Sequence, residues 1–345
     1  MKAISAANND IYSQVAQILH QAKIKVVQSI NTTIVSTYYR IGQLIVEHEQ
    51  NGHERAEYGK RILKELSDKL SLEFGKGFSE DNLSNMRKFY LIYQPEISET
   101  LSRKSDSEKP QSFEFKLSWS HYLKLIRISN KEERKFYEIE CAKNNWSLRE
   151  LQRQYDAALY TRLALTRSPE EIRKLSVEGQ VLEKAGDAIK DPYILEFIGL
   201  AENSDYSETE LEQKLIDKLE TFLLELGTGF TFVARQKRIS FDEKHFYIDL
   251  VFYNRILRSF FLIDLKIGEL RHQDIGQMQM YVNYYDREMK LADENKTIGL
   301  ILCQDKSEAV VKYTLPENNE QIFASKYQTV LPSNERLKAL LEDNI

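Results

Sequence analysis

Cysteine is scarce in this 345-residue chain: Cys141 and Cys303 are the only two, and neither has the spacing of a zinc site. The six histidines, His20, His48, His53, His121, His245 and His272, are scattered and form no ligand spacing. Most read as surface or packing residues, although His245 lies four residues before Asp249 on the same strand face and is placed to approach a substrate. No apolar run approaches the roughly 20 residues of a membrane span, and the N-terminus lacks a basic segment followed by an apolar one. A cytoplasmic protein with no membrane contact is therefore the expectation. No internal repeat is evident and no heptad pattern persists, which argues against a solenoid or a long coiled coil. What remains is an ordinary globular composition, 29% charged and 42% hydrophobic, in a chain long enough for two domains.

The net charge of −5 hides an asymmetry. Residues 1–180 carry 28 Lys and Arg against 24 Asp and Glu, whereas the remainder carries 20 against 29. The N-terminal half is thus the better candidate for holding nucleic acid and the C-terminal half for holding metal.

The N-terminal half reads as helical. Apolar residues recur at helical spacing from about 10 to 50 through Ile18, Val26, Ile30, Ile34, Tyr38, Ile41 and Ile45, and again over 57–72. The glycine turn Phe74-Gly75-Lys76-Gly77-Phe78 follows, and Ser79 caps a third helix expected to end near Pro95. Helix, short turn, helix is the layout of a helix-turn-helix, and equally of a hairpin in a helical bundle. In the first case Asn82, Ser84, Asn85, Arg87 and Lys88 would face nucleic acid. Residues 102–112 read as a polar loop, and Ser147-Leu148-Arg149-Glu150 as a capping box opening a helix with Arg149, Arg153 and Arg162. Trp119 and Trp146 suit base stacking, but two isolated tryptophans in a helical domain are more often core anchors. The charged stretch from about 166 to 189, with Pro169, Gly179 and Gly186, reads as an interdomain connection.

The chemistry concentrates further on. Phe246–Tyr253 and Phe260–Ile267 are apolar, β-branched and aromatic runs of strand length, and each holds one aspartate in its middle. An unpaired carboxylate in such a setting costs several kcal/mol or becomes neutral, so two of them in neighbouring strands call for a compensating divalent cation. A hairpin turn centred near Ile256 and Leu257 sets Asp249 opposite Asp264, give or take one position, with Cβ atoms roughly 4.5–5.5 Å apart. Asp264 and Lys266 share one strand face, while Phe261, Ile263, Leu265 and Ile267 take the other. Two oxygen ligands beside an ammonium suit phosphodiester hydrolysis. Upstream, Leu211, Leu215, Leu219, Phe222, Leu223 and Leu226 form the stripe of one amphipathic helix that stops at Gly227, with Glu212 at its edge. Downstream, Gln277 and Tyr281 lie four apart on one helical face.

In this order, helix Glu212, strand Asp249, strand Asp264-Leu265-Lys266 and helix Gln277-x-x-x-Tyr281, the residues resemble the PD-(D/E)XK nuclease superfamily with its αβββαβ core. The Gln-x-x-x-Tyr helix is similar to the RecB-like branch. More closely, the chain resembles bacterial YhcG-type proteins, through Lys190–Phe197, Phe222–Gly227, Asp249–Tyr253 and Ile275–Met278. Ile248 stands where the motif has proline, and Asp264 where glutamate is commoner; a carboxylate is kept in place in both motifs. The resemblance implies an α+β two-domain protein: an α-helical, helix-turn-helix-like domain over 1–170, a linker over 171–189, and an α/β PD-(D/E)XK domain over 190–345. It implies Mg²⁺ or Mn²⁺ held by Asp249, Asp264 and the Leu265 carbonyl, with Lys266 acting on the attacking water. Glu212 would complete the acidic cluster, and Gln277 and Tyr281 would orient Lys266 or a phosphate. The expected partner is nucleic acid, most simply DNA, with a homodimer or partner subunit left open. The competing reading is a non-catalytic DNA-binding or assembly subunit that uses the nuclease fold as a scaffold.

Overall fold

The computed structural model describes residues 2–51, 56–103, 114–165, 167–201, 206–241 and 243–331, and the chain divides into two compact units, Met1–Leu151 and Gln152–Ile345. The first is helical: α1 (Lys2–Asn51), α2 (Ala56–Phe74), α3 (Glu80–Arg103), α4 (Trp119–Leu125) and α5 (Lys131–Asn144), with α6 (Leu148–Asp156) crossing the division. The expected polar loop at 102–112 lies almost wholly outside the described residues.

α1 and α3 pack so closely that a Cβ on Gly42 would sit 2.1 Å from the Met86 carbonyl, so only glycine fits there. Around this crossing Leu83, Met86, Phe89, Tyr93, Phe115 and Tyr122 are buried. Trp119 joins them, its ring 5.0 Å from Tyr38 and 5.3 Å from Phe89, as a core anchor and not a stacking platform. The glycine turn forms as a single turn of 3₁₀ helix, Lys76–Phe78, entered through Gly75 at φ 89°. α3 does not stop near Pro95 but carries it inside; Pro95 lies on the exposed face, where water can serve the carbonyl that its missing N–H leaves unbonded.

The second unit adds α7 (Leu159–Leu165), α8 (Pro169–Glu178), β1 (Tyr193–Ile194), α9 (Glu208–Asp217), α10 (Leu219–Leu226), β2 (Phe230–Phe241), β3 (Lys244–Asn254), β4 (Ser259–Glu269), α11 (His272–Tyr284), β5 (Ile298–Asp305), α12 (Glu308–Thr314) and β6 (Ile322–Gln328). The sheet order is β1-β6-β5-β4-β3-β2. β2, β3 and β4 form an antiparallel meander, and the β4–β5, β5–β6 and β6–β1 pairs are parallel. Both faces are covered, as strands apolar on both sides require. Leu250, Phe252, Phe261, Ile263 and Leu265 pack with Leu211, Leu215 and Phe222 of α9 and α10. Val251, Leu262 and Ile301 pack with Met278, Tyr281 and Val282 of α11. A Cβ on Gly299 of β5 would meet Met278 at 2.6 Å, so α11 lies directly against that strand.

The single helix expected over Leu211–Leu226 is broken at Lys218, whose φ −118° and ψ 30° are not helical, although Gly227 ends it at φ 112° as expected. The stretch 171–189 is not a bare connection. Ser168 and Glu171 form a capping box that starts α8, and Arg153 of α6 and Arg162 of α7 join a buried ionic cluster. There Arg162 donates to Glu225 at 2.7 Å with both side chains fully buried. Arg153 reaches the other Glu225 oxygen at 3.3 Å, and Lys190 bonds the Glu225 carbonyl.

Candidate active site

The β3–β4 hairpin runs in register from Asn254 opposite Ser259 to Leu250 opposite Ile263. That register would next set Asp249 opposite Asp264, but there the ladder ends. The Asp249 carboxylate takes over the ladder's role, accepting the Leu265 N–H at 2.8 Å. The strands open at this point, and the two aspartates converge in the fork, their carboxyl groups within hydrogen-bonding reach of each other. Lys266 Nζ lies 2.9 Å from Asp264 Oδ2. Asp264 is buried, and its Oδ2 has no aligned hydrogen bond.

Electrostatics follow from this geometry. Burial and then the neighbouring Asp249 push the Asp264 carboxyl up to about 7, against the opposing pull of Lys266. Burial would lower the Lys266 pKa, but Asp264, with Glu208 and Asp249 behind it, raises it above the ordinary lysine value. Tyr281 is pushed up to about 12, by burial first and the Asp264 charge second.

The remaining expected residues are arranged as follows. Gln277 donates to the Tyr281 hydroxyl at 2.6 Å, which in turn donates to the Tyr247 carbonyl at 2.9 Å. The pair thus ties α11 to β3 two residues before Asp249, and the second ion-pair partner of Lys266 is instead Glu208, at 3.7 Å. Glu212 is buried and reaches the site through an intermediary: Gln236 donates to Glu212 at 2.5 Å and to Asp249 at 3.0 Å. Arg235 pairs with Glu212 at 3.0 Å. Glu208, Arg235 and Gln236 had no signal in the sequence reading. Gln236 adopts φ 45° within β2, a left-handed conformation rare for a side chain of this size, and strand periodicity gives no hint of it.

Of the residues expected to meet nucleic acid, several have other partners. Asn82 donates to the Gly77 carbonyl at 2.6 Å and accepts from Trp119 at 2.9 Å, so its amide closes the turn and fixes the tryptophan. Arg87 is paired with Glu49 at 2.6 Å. Arg153 bonds Glu196 at 2.9 Å and lies over the Phe197 ring; its side chain is 13% exposed, and its charge is spent within the fold. Asn85 is half-buried, and Lys88 and Arg149 are exposed.

In sequence, residues 14–162 match the DUF1016 N-terminal domain and residues 186–342 match the YhcG PDDEXK nuclease domain. YhcG of Escherichia coli (strain K12), named a candidate nuclease, is 36% identical over 351 positions, 96% of this chain and 93% of its own. The chain belongs to the YhcG family. Its C-terminal half is a PDDEXK nuclease domain, in keeping with the mixed sheet and the helical first unit. Among solved structures, it shares 18% identity with a repair endonuclease from Pyrococcus abyssi, over 39% of this chain and 50% of that one, at a TM-score of 0.25. It shares 13% with EndoMS in a complex with double-stranded DNA, over 39% and 51%, at 0.27. The chain spans about half the length of these structures. No described helix is long and apolar enough to cross a membrane.

The YhcG-family site suits a hard divalent cation. Two convergent carboxylates, one of them buried, are what such an ion satisfies. Among the described residues no three His, Cys, Asp or Glu side chains cluster to hold a metal.

The raised Asp264 pKa has a measurable sign. A carboxyl that holds its proton more tightly folded than unfolded adds stability below its ordinary value of 3.8, and that contribution is lost as pH rises through about 7. Without metal, Asp264→Asn is therefore expected to raise the melting temperature at pH 8 and to change it little near pH 4. The gain at pH 8 is at most about 4 kcal/mol, less what Lys266 loses with its partner. An equal change at both pH values, followed by calorimetry in EDTA, would sink this account.

Proposed function

We propose that this protein is a metal-dependent nuclease that hydrolyses phosphodiester bonds, with DNA as substrate, in restriction, repair or defence. The observation that supports it most is the opened β3–β4 fork, where Asp249, Asp264 and Lys266 meet. Asp249, Asp264 and the Leu265 carbonyl would hold Mg²⁺ or Mn²⁺, which supplies Lewis-acid charge at the scissile phosphate. Lys266, already ionised and held by Asp264, orients the attacking water and offsets charge building on the phosphate oxygens. Glu212 acts through Gln236, fixing the Asp249 rotamer. Gln277 and Tyr281 hold the end of β3, so that Asp249 cannot drift from Asp264. The helical unit serves to position nucleic acid through its exposed cations, Lys88 and Arg149 among them.

The test is to incubate the full chain with single-stranded, duplex and branched DNA, with Mn²⁺ and with EDTA. Cleavage confined to the Mn²⁺ reactions is expected. Intact DNA in every Mn²⁺ reaction would favour the non-catalytic scaffold instead.

A further inference from the structure

The second unit is acidic as a whole, yet one exposed strip beside the fork is not. In the β2–β3 register Arg238 is opposite Tyr247 and Ser240 opposite His245. Ile239 and Phe246, between them, turn into the core beside α11, so Arg238, Ser240, His245 and Tyr247 share the other face. Asp249 is the next residue of that parity along β3. All four are exposed, and Tyr247 presents 47% of its surface.

They are also organised. Arg238 lies 2.9 Å from His245 Nε2 and 3.3 Å from the Ser240 hydroxyl, and Ser240 Oγ lies 2.9 Å from His245 Nδ1. Among the described residues no carboxylate pairs with Arg238. A guanidinium drawn against an imidazole and a hydroxyl is an arrangement that an anion completes. Arginine and a hydroxyl with an exposed aromatic ring beside them are the means by which proteins grip a phosphate backbone. From Asp249 to His245 is four residues, roughly 13 Å along a strand. A duplex covers that length in about four base-pair rises.

We infer that the Arg238–Ser240–His245–Tyr247 face of the β2–β3 ribbon binds the phosphodiester backbone of the substrate a few nucleotides from the bond cut at Asp249 and Asp264. This rests on the nuclease reading above and names how that site takes its substrate. The four are positioning residues. Arg238 and Ser240 donate to a phosphate, His245 holds the guanidinium in place, and Tyr247 packs against the sugar.

The test measures binding apart from cleavage. Fluorescence anisotropy with Ca²⁺ in place of Mn²⁺ gives Kd for labelled DNA and RNA duplexes of one sequence, over a series of salt concentrations, and Mn²⁺ kinetics give KM and kcat. Arg238→Ala is expected to raise Kd and KM about tenfold, to lower the slope of log K against log salt by about one, and to be partly restored in Arg238→Lys. Tyr247→Ala should raise Kd with the salt slope intact. Lys312→Ala, at an exposed position of α12, is the control and should bind like the parent. The DNA and RNA arms say which backbone is preferred. Arg238→Ala and Tyr247→Ala variants that bind with the parent's Kd and salt slope would overturn the inference while leaving a cleaving parent, and so the nuclease reading, intact. A parent that neither binds nor cuts either duplex would overturn both.

Discussion

Replacing Lys266 by alanine is expected to lower the cleavage rate about a hundredfold, the loss typical of one positioned electrostatic group, with fold and DNA affinity nearly intact. Lys266 is half-buried, its ammonium held between Asp264 and Glu208, so the truncation removes one charge beside the reacting phosphate and leaves both aspartates in place. Asp264→Ala goes further and should abolish cleavage, because it removes half of the carboxylate pair. The measurement is single-turnover cleavage with Mn²⁺, with circular dichroism to confirm folding. If both variants cut like the parent, the activity lies elsewhere and the scaffold reading stands.

The second large effect concerns stability. Burial alone would push the Glu225 carboxyl up, but Arg162, Lys190 and Arg153 overcome it and hold it near 2. Its contribution is therefore present above the usual glutamate value and is lost as pH falls toward 2. Glu225→Ala strands the fully buried Arg162 without its counter-charge. Removing one member of a buried pair costs roughly 3–5 kcal/mol, so a marked fall in the urea midpoint is expected. Arg162→Met with Glu225→Met should be milder than Glu225→Ala alone, since no charge is left unpaired. A double variant as unstable as the single one would show that packing, not the ion pair, holds these helices together.

What the sequence made legible is what depends on local pattern. The apolar runs around Asp249 and Asp264, with a turn at Ile256 and Leu257, were enough to set the hairpin register and so the convergence of the two aspartates. Gly227 marked a helix end, and the glycine turn before Ser79 marked another. What stayed hidden depends on tertiary contact. Nothing local foretells that Gln236 turns left-handed to bridge Glu212 and Asp249, or that Glu208 swings to Lys266. The polar residues of α3 looked like a nucleic-acid face because their types fit, yet Asn82 and Arg87 are engaged by Gly77, Trp119 and Glu49. Residue type says what a side chain can bond, and only the packed chain decides what it does bond. Arg153 is the clearest instance, a cation absorbed by a buried glutamate 72 positions away.

The contact of α11 with Gly299 gives that glycine a role beyond packing. α11, which carries Tyr281 to the Tyr247 carbonyl, rides on a strand position with no side chain, where Met278 and Val282 fill the space a Cβ would claim. The distance between the helix and the fork is thus gauged by a hydrogen atom on β5. A single methyl there would act as a shim, lifting the helix and drawing Tyr281 off β3 without touching either aspartate. The alignment of the proposed metal ligands is in this sense set from the far side of the sheet, by a residue that has nothing to contribute but its smallness.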